Sequence, residues 1–187
     1  MLPPTTINFK HLLQVESYKN TLREWRNQSF VRENMLNKEH ITEEQHLAYV
    51  QSIYDKTRDA YIGFIDNEPF GVLQLTHFPQ NKALEFGYYL VDKRYLNSGL
   101  GVIIEYKMLE YGFEFLGVER IFCRTLLTNE KVIRIHKKFG FQIEDNKSDR
   151  VNYCMQSITP VIWELHKSSI EKIINTIIPI SQVRDIK

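Results

Sequence analysis

The sequence is poor in the features that define several classes of protein. It has only two cysteines among 187 residues, so neither a disulfide-rich scaffold nor a paired-cysteine metal site is expected. No run approaches the roughly 18 consecutive apolar residues of a membrane span, and Met1–Lys10 lacks the apolar run of a signal peptide. The net charge is only +1, which argues against a broadly basic surface for nucleic acid. We therefore expect a cytoplasmic protein with no metal and with no nucleic-acid or membrane partner.

The composition that remains suits a folded core. Hydrophobic residues make up 43% of the chain and aromatic residues 12%, and the length fits one domain. We expect a single domain over residues 1–187, with a core of about 5–167 and a C-terminal helical extension over 168–187. Isoleucines at helical spacing in that extension would pack on their own chain or form a homodimer contact: Ile170, Ile173, Ile174, Ile177 and Ile178.

The hydrophobic periodicity predicts helices first and then three strands. Thr42 and Gln45 form a capping box, which predicts a helix from Thr42 to about Lys56. An earlier short helix is expected over Tyr18–Trp25. A meander of three strands follows, since β-prone runs are separated by short turns: Tyr61–Ile65, Phe70–Phe78 and Leu84–Val91.

The second half of the chain alternates helices and strands. A long helix should follow the turn Asn97–Gly101, and a strand is expected at Ile121–Leu126. Asn129 can cap a helix that ends at Gly140. A late strand at Phe141–Glu144 would pair with a strand at Val161–Leu165. This order predicts an α/β (α+β) domain with one central sheet.

The turn Asn97–Gly101 joins a strand to the long helix. Gly99 and Gly101 let the backbone approach a ligand closely, and the first amides of the helix have no partner within the helix. Such a turn suits a pyrophosphate, although an ordinary tight turn is the alternative. It is not a Walker loop, because no Gly-Lys-Ser/Thr follows, and the third glycine of the dinucleotide fingerprint is missing.

Two motifs in the right order resemble the GNAT superfamily of N-acetyltransferases over roughly Trp25–Leu165. The family's first motif is Gln or Arg, two residues, Gly, one residue, then Gly or Ala; Gly99 and Gly101 match, whereas Leu96 departs. The later motif is matched by Asn129 and by Gly140-Phe141. The resemblance implies a GNAT-like fold, with a mixed, mostly antiparallel, splayed sheet flanked by helices, and acetyl-CoA as co-substrate.

The resemblance also implies where acetyl-CoA binds. The pantetheine arm would lie between the Leu84–Val91 and Ile121–Leu126 strands. Backbone groups near Leu90 and Val91 would hold the thioester, and a bulge in this strand would present N–H groups to the oxyanion. The remaining cofactor-binding residues lie in the glycine turn and at the later helix cap: Leu96, Asn97, Ser98, Gly99, Leu100, Gly101, Val102 and Asn129. A basic helix face could meet the cofactor's phosphates: Lys131, Arg134, Lys137 and Lys138.

Acetyl transfer needs a base for the amine and an acid or other stabiliser for the departing thiolate. The family commonly has a Tyr as general acid where this chain has His136, and imidazole can donate a proton near neutral pH. The alternative is that His136 is only packed in the core and that the CoA thiolate leaves without a proton donor. Similar enzymes often use an acidic residue at the position of Glu85 as the base, directly or through a water; the alternative is an exposed strand carboxylate.

The acceptor should be recognised by the N-terminal third. Trp25-Arg26-Asn27 and a helix carrying His46-Leu47 resemble the sugar-nucleotide N-acetyltransferases of pseudaminic acid biosynthesis. Those enzymes acetylate the 4-amino group of a UDP-linked 4-amino-4,6-dideoxy-N-acetyl sugar. A diphosphate suits an Arg fork, and a uracil suits an aromatic surface. By that resemblance the nucleotide sugar would face four residues: Arg26, His46, Thr76 and Tyr89.

Other interpretations remain open at this point. The alternative for Arg26 is that it forms a buried salt bridge. The alternative for His46 is that it is a residue on the helix surface with no role in binding. Acetyltransferases of ribosomal-protein N-termini share the Trp-Arg-Asn opening. The departures at Leu96 and His136 favour a non-catalytic acyl-CoA-binding module, and a plain interaction domain requires both motif matches to be coincidence.

Overall fold

A computed structural model describes residues 5–144 and 152–186 of the chain. Its strands are β1 Ile7–His11, β2 Arg58–Ile65, β3 Glu68–Phe78, β4 Ala83–Leu90, β5 Arg120–Leu126, β6 Gln142–Ile143 and β7 Tyr153–Ile158. They form one seven-stranded sheet in the order β1-β2-β3-β4-β5-β7-β6. Neighbouring strands are antiparallel except β4 and β5, which are parallel. The predicted mixed, mostly antiparallel sheet is confirmed.

Six α-helices accompany the sheet in the described ranges. They are α1 Lys19–Asn27, α2 Ser29–Arg32, α3 Glu43–Tyr54, α4 Leu100–Glu110, α5 Glu130–Phe139 and α6 Pro160–Ile177. One π-helical turn, Tyr111–Phe115, continues α4. The capping box is confirmed, because Thr42 Oγ1 accepts from the Gln45 N–H and Gln45 Oε1 accepts from the Thr42 N–H. None of these helices is both long and apolar enough to span a bilayer.

The helices cover the two faces of the sheet. On one face α4, α5 and α6 pack over a core that includes Leu84, Phe86 and Trp163. On the other face α1, α2 and α3 pack over Ile62 and Tyr89. Side chains alternate along β4 between these two cores, as the period of a strand requires. The central strands are therefore covered on both faces along much of their length, whereas sheet side chains beyond the N-terminal helices, such as Arg58 and Arg124, are exposed.

Two parts of the predicted order are wrong. The first strand, β1, was not predicted, and the partner of β6 is β7 at Tyr153–Ile158. Val161–Leu165 instead opens α6, with Val161 and Leu165 each 72% exposed. Pro160 explains this outcome, because its fixed φ and missing N–H suit the first turn of a helix. A short apolar run alone does not separate a strand from a helix.

The isoleucine stripe of α6 packs on its own chain. Ile170, Ile174 and Ile178 are buried in the same core as Trp163, while Ile173 and Ile177 are only partly covered. The helix begins at Pro160, so it runs without a break across residue 167, where the extension was expected to start.

Candidate active site

A cleft opens in the middle of the sheet, between β4 and β5. The two strands pair only from Ala83 to Glu85, opposite Arg120 to Phe122, and diverge beyond that point. At Gly87, in the diverging part of β4, a Cβ added to the backbone would meet no atom within 4 Å. The splayed sheet therefore leaves the edge of β4 that faces β5 unpaired beyond Glu85, and the space in front of Gly87 is open.

The backbone of β4 offers alternate N–H groups to this gap. The Val91 N–H donates to the Phe70 carbonyl at 3.0 Å, toward β3. Because alternate residues of an antiparallel strand bond to the same neighbour, the N–H groups of Tyr88 and Leu90 turn the other way, toward the cleft. The Val91 carbonyl accepts from Gln28 Nε2 at 2.9 Å. Of the two residues predicted to hold the thioester, only Leu90 therefore faces the cleft with its backbone.

The predicted bulge in this strand is wrong. β4 pairs with β3 in continuous register from Ala83 to Leu90. The register shift in this part of the sheet lies instead on β2, between Gly63 and Phe64. The divergence from β5, and not a bulge, is what frees the N–H groups of β4.

The glycine turn closes one end of the cleft. Gly99 is the N-cap of α4 and adopts a left-handed conformation with φ of 86°. Ser98 Oγ accepts from the Leu100 N–H at 3.2 Å, and the Gly99 carbonyl accepts from the Val102 N–H at 2.9 Å. These bonds leave the Gly101 N–H as the first-turn amide with no partner in the described part of the chain. Gly101 is thus the donor that the turn offers to an anion, whereas the amides of Leu100 and Val102 are occupied.

The second motif lies beside the first. Lys131 Nζ donates to Asn97 Oδ1, which brings the first turn of α5 against the glycine turn. Asn129 occupies the N-cap position of α5, but its side chain makes no capping bond. The predicted capping role of that side chain is therefore wrong, and the amide is left for other contacts. Leu96 precedes the turn and is half exposed.

His136 lies in the core beneath the cleft and is only 2% exposed. Its Nδ1 is 3.0 Å from Gln156 Oε1, and because an amide oxygen only accepts, Nδ1 carries the proton. Nε2 then presents a lone pair, 3.6 Å from Glu105 Oε2. Burial lowers the pKa of His136 to about 4. At neutral pH the ring is uncharged, which makes it a poor proton donor to a thiolate.

Glu85 lies on the opposite face of the sheet from His136. Its Oε1 accepts from Arg124 Nε at 2.6 Å, and Thr76 stands directly beside it on β3. Glu85 and Gly87 share this face by strand alternation, so the carboxylate borders the open part of the cleft. We call the open sheet surface beyond the N-terminal helices the acceptor face, defined by Arg58, Thr76, Glu85, Gly87 and Arg124.

A wall of the acceptor face comes from α3. The Tyr49 hydroxyl oxygen accepts from Gln74 Nε2 at 2.9 Å, and the Arg58 guanidinium lies over the Tyr49 ring, 5.7 Å from its centroid. Arg124 and Tyr49 were not predicted from the sequence. Alternation along β5 would have placed Arg124 on the same face as Phe122, but its approach to Glu85 depends on the parallel pairing of β4 and β5.

Three of the predicted substrate residues lie away from this face. His46 is 6% exposed, and its Nε2 donates to the Lys19 carbonyl at 2.7 Å. The Tyr89 hydroxyl donates to the Leu22 carbonyl at 3.4 Å, and Arg26 Nη2 donates to the Asn37 carbonyl at 2.8 Å. These side chains hold the N-terminal helices and the following loop together. The structure brings only Thr76, of the four, to the acceptor face.

A family model described as an acetyltransferase (GNAT) domain matches residues 11–142. The chain belongs to the GNAT family and is an acetyl-CoA-dependent N-acetyltransferase. Among the described residues, no group of three or more His, Cys, Asp or Glu side chains is arranged to hold a metal ion.

Two kinds of acetyltransferase are similar in sequence. Acetyltransferase PseH of Campylobacter jejuni is 24% identical over 152 residues, which cover 80% of this chain and 94% of that protein. Spermidine N(1)-acetyltransferase of Escherichia coli is 26% identical over 97 residues, which cover 51% of this chain and 52% of that protein.

Solved structures share the fold. The Campylobacter jejuni N-acetyltransferase PseH in complex with acetyl coenzyme A has a TM-score of 0.62 at 20% identity, over 82% of this chain and 99% of that one. Spermidine N-acetyltransferase from Vibrio cholerae in complex with CoA and spermine has a TM-score of 0.75 at 12% identity, over 85% of this chain and 98% of that one. At such identities the likeness shows the fold alone.

The cleft and the glycine turn fit acetyl-CoA. Gly101 offers a free amide, and Lys131 a cation, at the end of the cleft where a pyrophosphate would sit. The cleft-facing N–H of Leu90 suits the thioester end of the pantetheine arm. The bound cofactor supplies the activated acetyl group.

Proposed function

We propose that the acceptor is the 4-amino group of a UDP-linked 4-amino-4,6-dideoxy-N-acetyl sugar, as in pseudaminic acid biosynthesis. The charge of the acceptor face carries this proposal. Arg58, Thr76 and Glu85 stand side by side across β2, β3 and β4, and Arg124 follows on β5 with a side chain 42% exposed. The acceptor face thus carries two guanidinium groups, of Arg58 and Arg124, and one carboxylate, of Glu85. This excess of positive charge favours an acceptor that has negative charge near its amine.

The dimensions of the face suit a sugar nucleotide. Strands lie about 4.8 Å apart, so the three strand gaps between Arg58 and Arg124 separate their backbones by at least about 14 Å. An Arg fork binds a diphosphate through two parallel hydrogen bonds. The similarity to PseH over most of both chains supports the same acceptor class.

The ion pair between Glu85 and Arg124 suggests how the acceptor would prepare the base. If the diphosphate draws Arg124 away, Glu85 loses its partner and is free to take a proton from the amine. The amine nitrogen then attacks the thioester carbon, and the cleft-facing N–H of Leu90 stabilises the oxyanion. The C–S bond breaks with its electrons on sulfur, the thiolate takes up the extra proton of the attacking nitrogen, and the N-acetylated sugar and CoA leave.

A polyamine is the second candidate, because spermidine N(1)-acetyltransferase is also similar in sequence. A polycation would need carboxylates along the acceptor face, whereas Arg58 and Arg124 lie there. A ribosomal-protein N-terminus, suggested by the Trp25-Arg26-Asn27 opening, is the third candidate. The positive charge of Arg58 and Arg124 supports the sugar nucleotide over a polycation.

Calorimetric titration of the acetyl-CoA-bound protein with UDP tests the proposal without the scarce substrate. We expect UDP to bind and Arg124→Gln to weaken that binding by about tenfold, since each charge-assisted bond contributes about 1.5–3 kcal/mol. Arg94→Gln is the matched control, because Arg94 is an exposed arginine that pairs with Glu68 and lies outside the acceptor face. Binding of spermidine with no binding of UDP would contradict the proposal and favour the polyamine.

A further inference from the structure

Two phenylalanines form an aromatic pair on the open side of the sheet. Phe78 ends β3 and is 37% exposed, and Phe122 on β5 is partly exposed. Their ring centroids are 5.5 Å apart, and the ring planes are tilted by 48°. Neither ring belongs to either of the two cores that the described residues form. The pair is therefore an aromatic surface in contact with solvent.

Strand pairing places this aromatic pair next to the acceptor face. Phe78 lies directly opposite Ala83 of β4, and Phe122 lies directly opposite Glu85. Because β3 and β5 are two strand gaps, or about 9.6 Å, apart, rings with centroids 5.5 Å apart lean toward each other above β4. The side chain beneath them is the small methyl group of Ala83, which is 4% exposed. The pair thus continues the acceptor face beyond Glu85, on the same side of the sheet.

Arg120 adds a second kind of planar group to this surface. Its guanidinium lies over the Phe122 ring, 4.6 Å from the centroid, and its Nε donates to Glu144 Oε1 at 3.1 Å. The carboxylate compensates the charge of Arg120, while 37% of the arginine side chain stays exposed. Nucleobases stack on aromatic rings and on guanidinium planes. We call the surface formed by Phe78, Phe122 and Arg120 the aromatic platform.

The order of groups along β4 matches the order of groups in a sugar nucleotide. The open gap lies at Gly87, the ion pair of Glu85 and Arg124 comes next, and the aromatic platform surrounds Ala83. A strand rises about 3.4 Å per residue, so Gly87 and Ala83 are about 14 Å apart. In a UDP-linked amino sugar the amine, the sugar ring, the diphosphate and the base follow one another. An acceptor whose amine reaches the gap would therefore bring its diphosphate to Arg124 and its base to the platform.

We propose that the aromatic platform binds the uracil base of the acceptor by stacking. This inference rests on the proposed function, and it adds the subsite that distinguishes a nucleotide-linked amine from other anionic amines. Arg58 and Arg124 recognise negative charge alone, whereas a platform of planar groups recognises a base. A polyamine has no planar group and would gain nothing from Phe78 or Phe122.

The first test separates the base from the phosphates. The acetyl-CoA-bound protein, whose own pyrophosphate site is filled, is titrated by calorimetry with UDP and with inorganic pyrophosphate. We expect Phe78→Leu and Phe122→Leu each to weaken UDP binding at least about fivefold, the lower end of a base–aromatic stack, and to change pyrophosphate binding less than about twofold. Phe115→Leu is the matched control and should change neither, because Phe115 is 72% exposed and stacks on Tyr111 in the π-helical turn. An equal loss of UDP and pyrophosphate binding would overturn the proposal.

The second test observes the stack itself. A ring current shields protons that lie above an aromatic ring, so the uracil H5 and H6 resonances of UDP should move upfield on binding to the wild type. Phe78→Leu should remove most of that shift, and Phe115→Leu should retain it. Uracil shifts that are the same in the wild type and in Phe78→Leu would contradict the stacking.

These measurements distinguish failure of the platform from failure of the proposed acceptor. If the wild type binds UDP and both platform variants bind it equally well, the platform is wrong while the proposed acceptor stands. If the wild type binds spermidine and not UDP, the proposed acceptor is wrong and the platform falls with it. Weaker UDP binding in Phe78→Leu and Phe122→Leu alone, with the upfield shift in the wild type, is the result that we expect.

Discussion

Ile177, at the end of α6, fills the space that a side chain on Gly99 would need: its Cδ1 lies 2.5 Å from the position of a Cβ built there. The C-terminal helix thus supports the turn that is expected to hold the pyrophosphate. This helix lies beyond residues 11–142, which the family model matches, so the turn depends on a part of the chain outside the shared domain.

Gly99→Ala should destabilise the protein more than Gly117→Ala. Both glycines have left-handed φ, 86° at Gly99 and 65° at Gly117, which costs a non-glycine residue about 1–2 kcal/mol. Only Gly99 adds a clash, because nothing lies within 4 Å of a Cβ at Gly117. Urea unfolding checks the difference, and Ile177→Ala should relieve part of it in the double variant. Equal losses for the two glycine variants would show that Ile177 does not press on the turn.

The free energy of unfolding of the wild type should fall, relative to Glu105→Gln, as the pH rises. The folded-state pKa of Glu105 is raised, so above about pH 4.5 the native state binds more protons than the unfolded state. Each pH unit in that window, up to the raised pKa, should therefore cost the wild type up to about 1.4 kcal/mol relative to the variant. Urea titrations from pH 5 to 8 measure this difference. A constant difference would contradict the raised pKa.

His136 should remain neutral down to about pH 4. Its folded-state pKa is lowered from about 6.5, so the unfolded state binds more protons between those two values and stability falls as the pH drops through them. The NMR titration of the imidazole carbons checks the assignment directly. A midpoint near 6.5 would mean that the ring is solvated and would return it to consideration as a general acid.

His46→Ala should weaken the fold without affecting acceptor binding. The variant leaves the Lys19 carbonyl without the donor of a 2.7 Å bond, which should cost about 1–3 kcal/mol. The KM for the acceptor should stay within about twofold, because His46 lies between α1 and α3 and not on the acceptor face. His40→Ala, at an exposed loop position, provides the control for stability. A large rise in KM at unchanged stability would instead support the contact that the sequence resemblance implies.

Local chemistry made part of this structure predictable. The capping box at Thr42 and the left-handed glycines at Gly99 and Gly140 need only a few neighbouring residues, and each marks a helix end in the structure. Val161–Leu165 was mistaken for a strand because a short, mostly apolar segment fits either element, whereas Pro160 is the residue that favours a helix start.

The site was harder to predict because it depends on faces and partners. Arg26, His46 and Tyr89 came from a motif resemblance, which does not say whether a side chain turns inward, and all three bond to backbone carbonyls. Arg124 meets Glu85 only through the parallel pairing of β4 and β5. Glu105 looked like any polar residue of a helix, because its burial results from β4 and α5 packing on α4.

The most direct test of the acceptor is a thiol-release assay with acetyl-CoA and three amines. The panel holds a UDP-4-amino-4,6-dideoxy-N-acetyl sugar, spermidine and a ribosomal N-terminal peptide. We predict release with the sugar nucleotide at a kcat/KM at least about tenfold above that of either other amine, since only that acceptor gains the Arg fork's charge-assisted bonds. Release with spermidine or the peptide and none with the sugar nucleotide would contradict the account of the acceptor face.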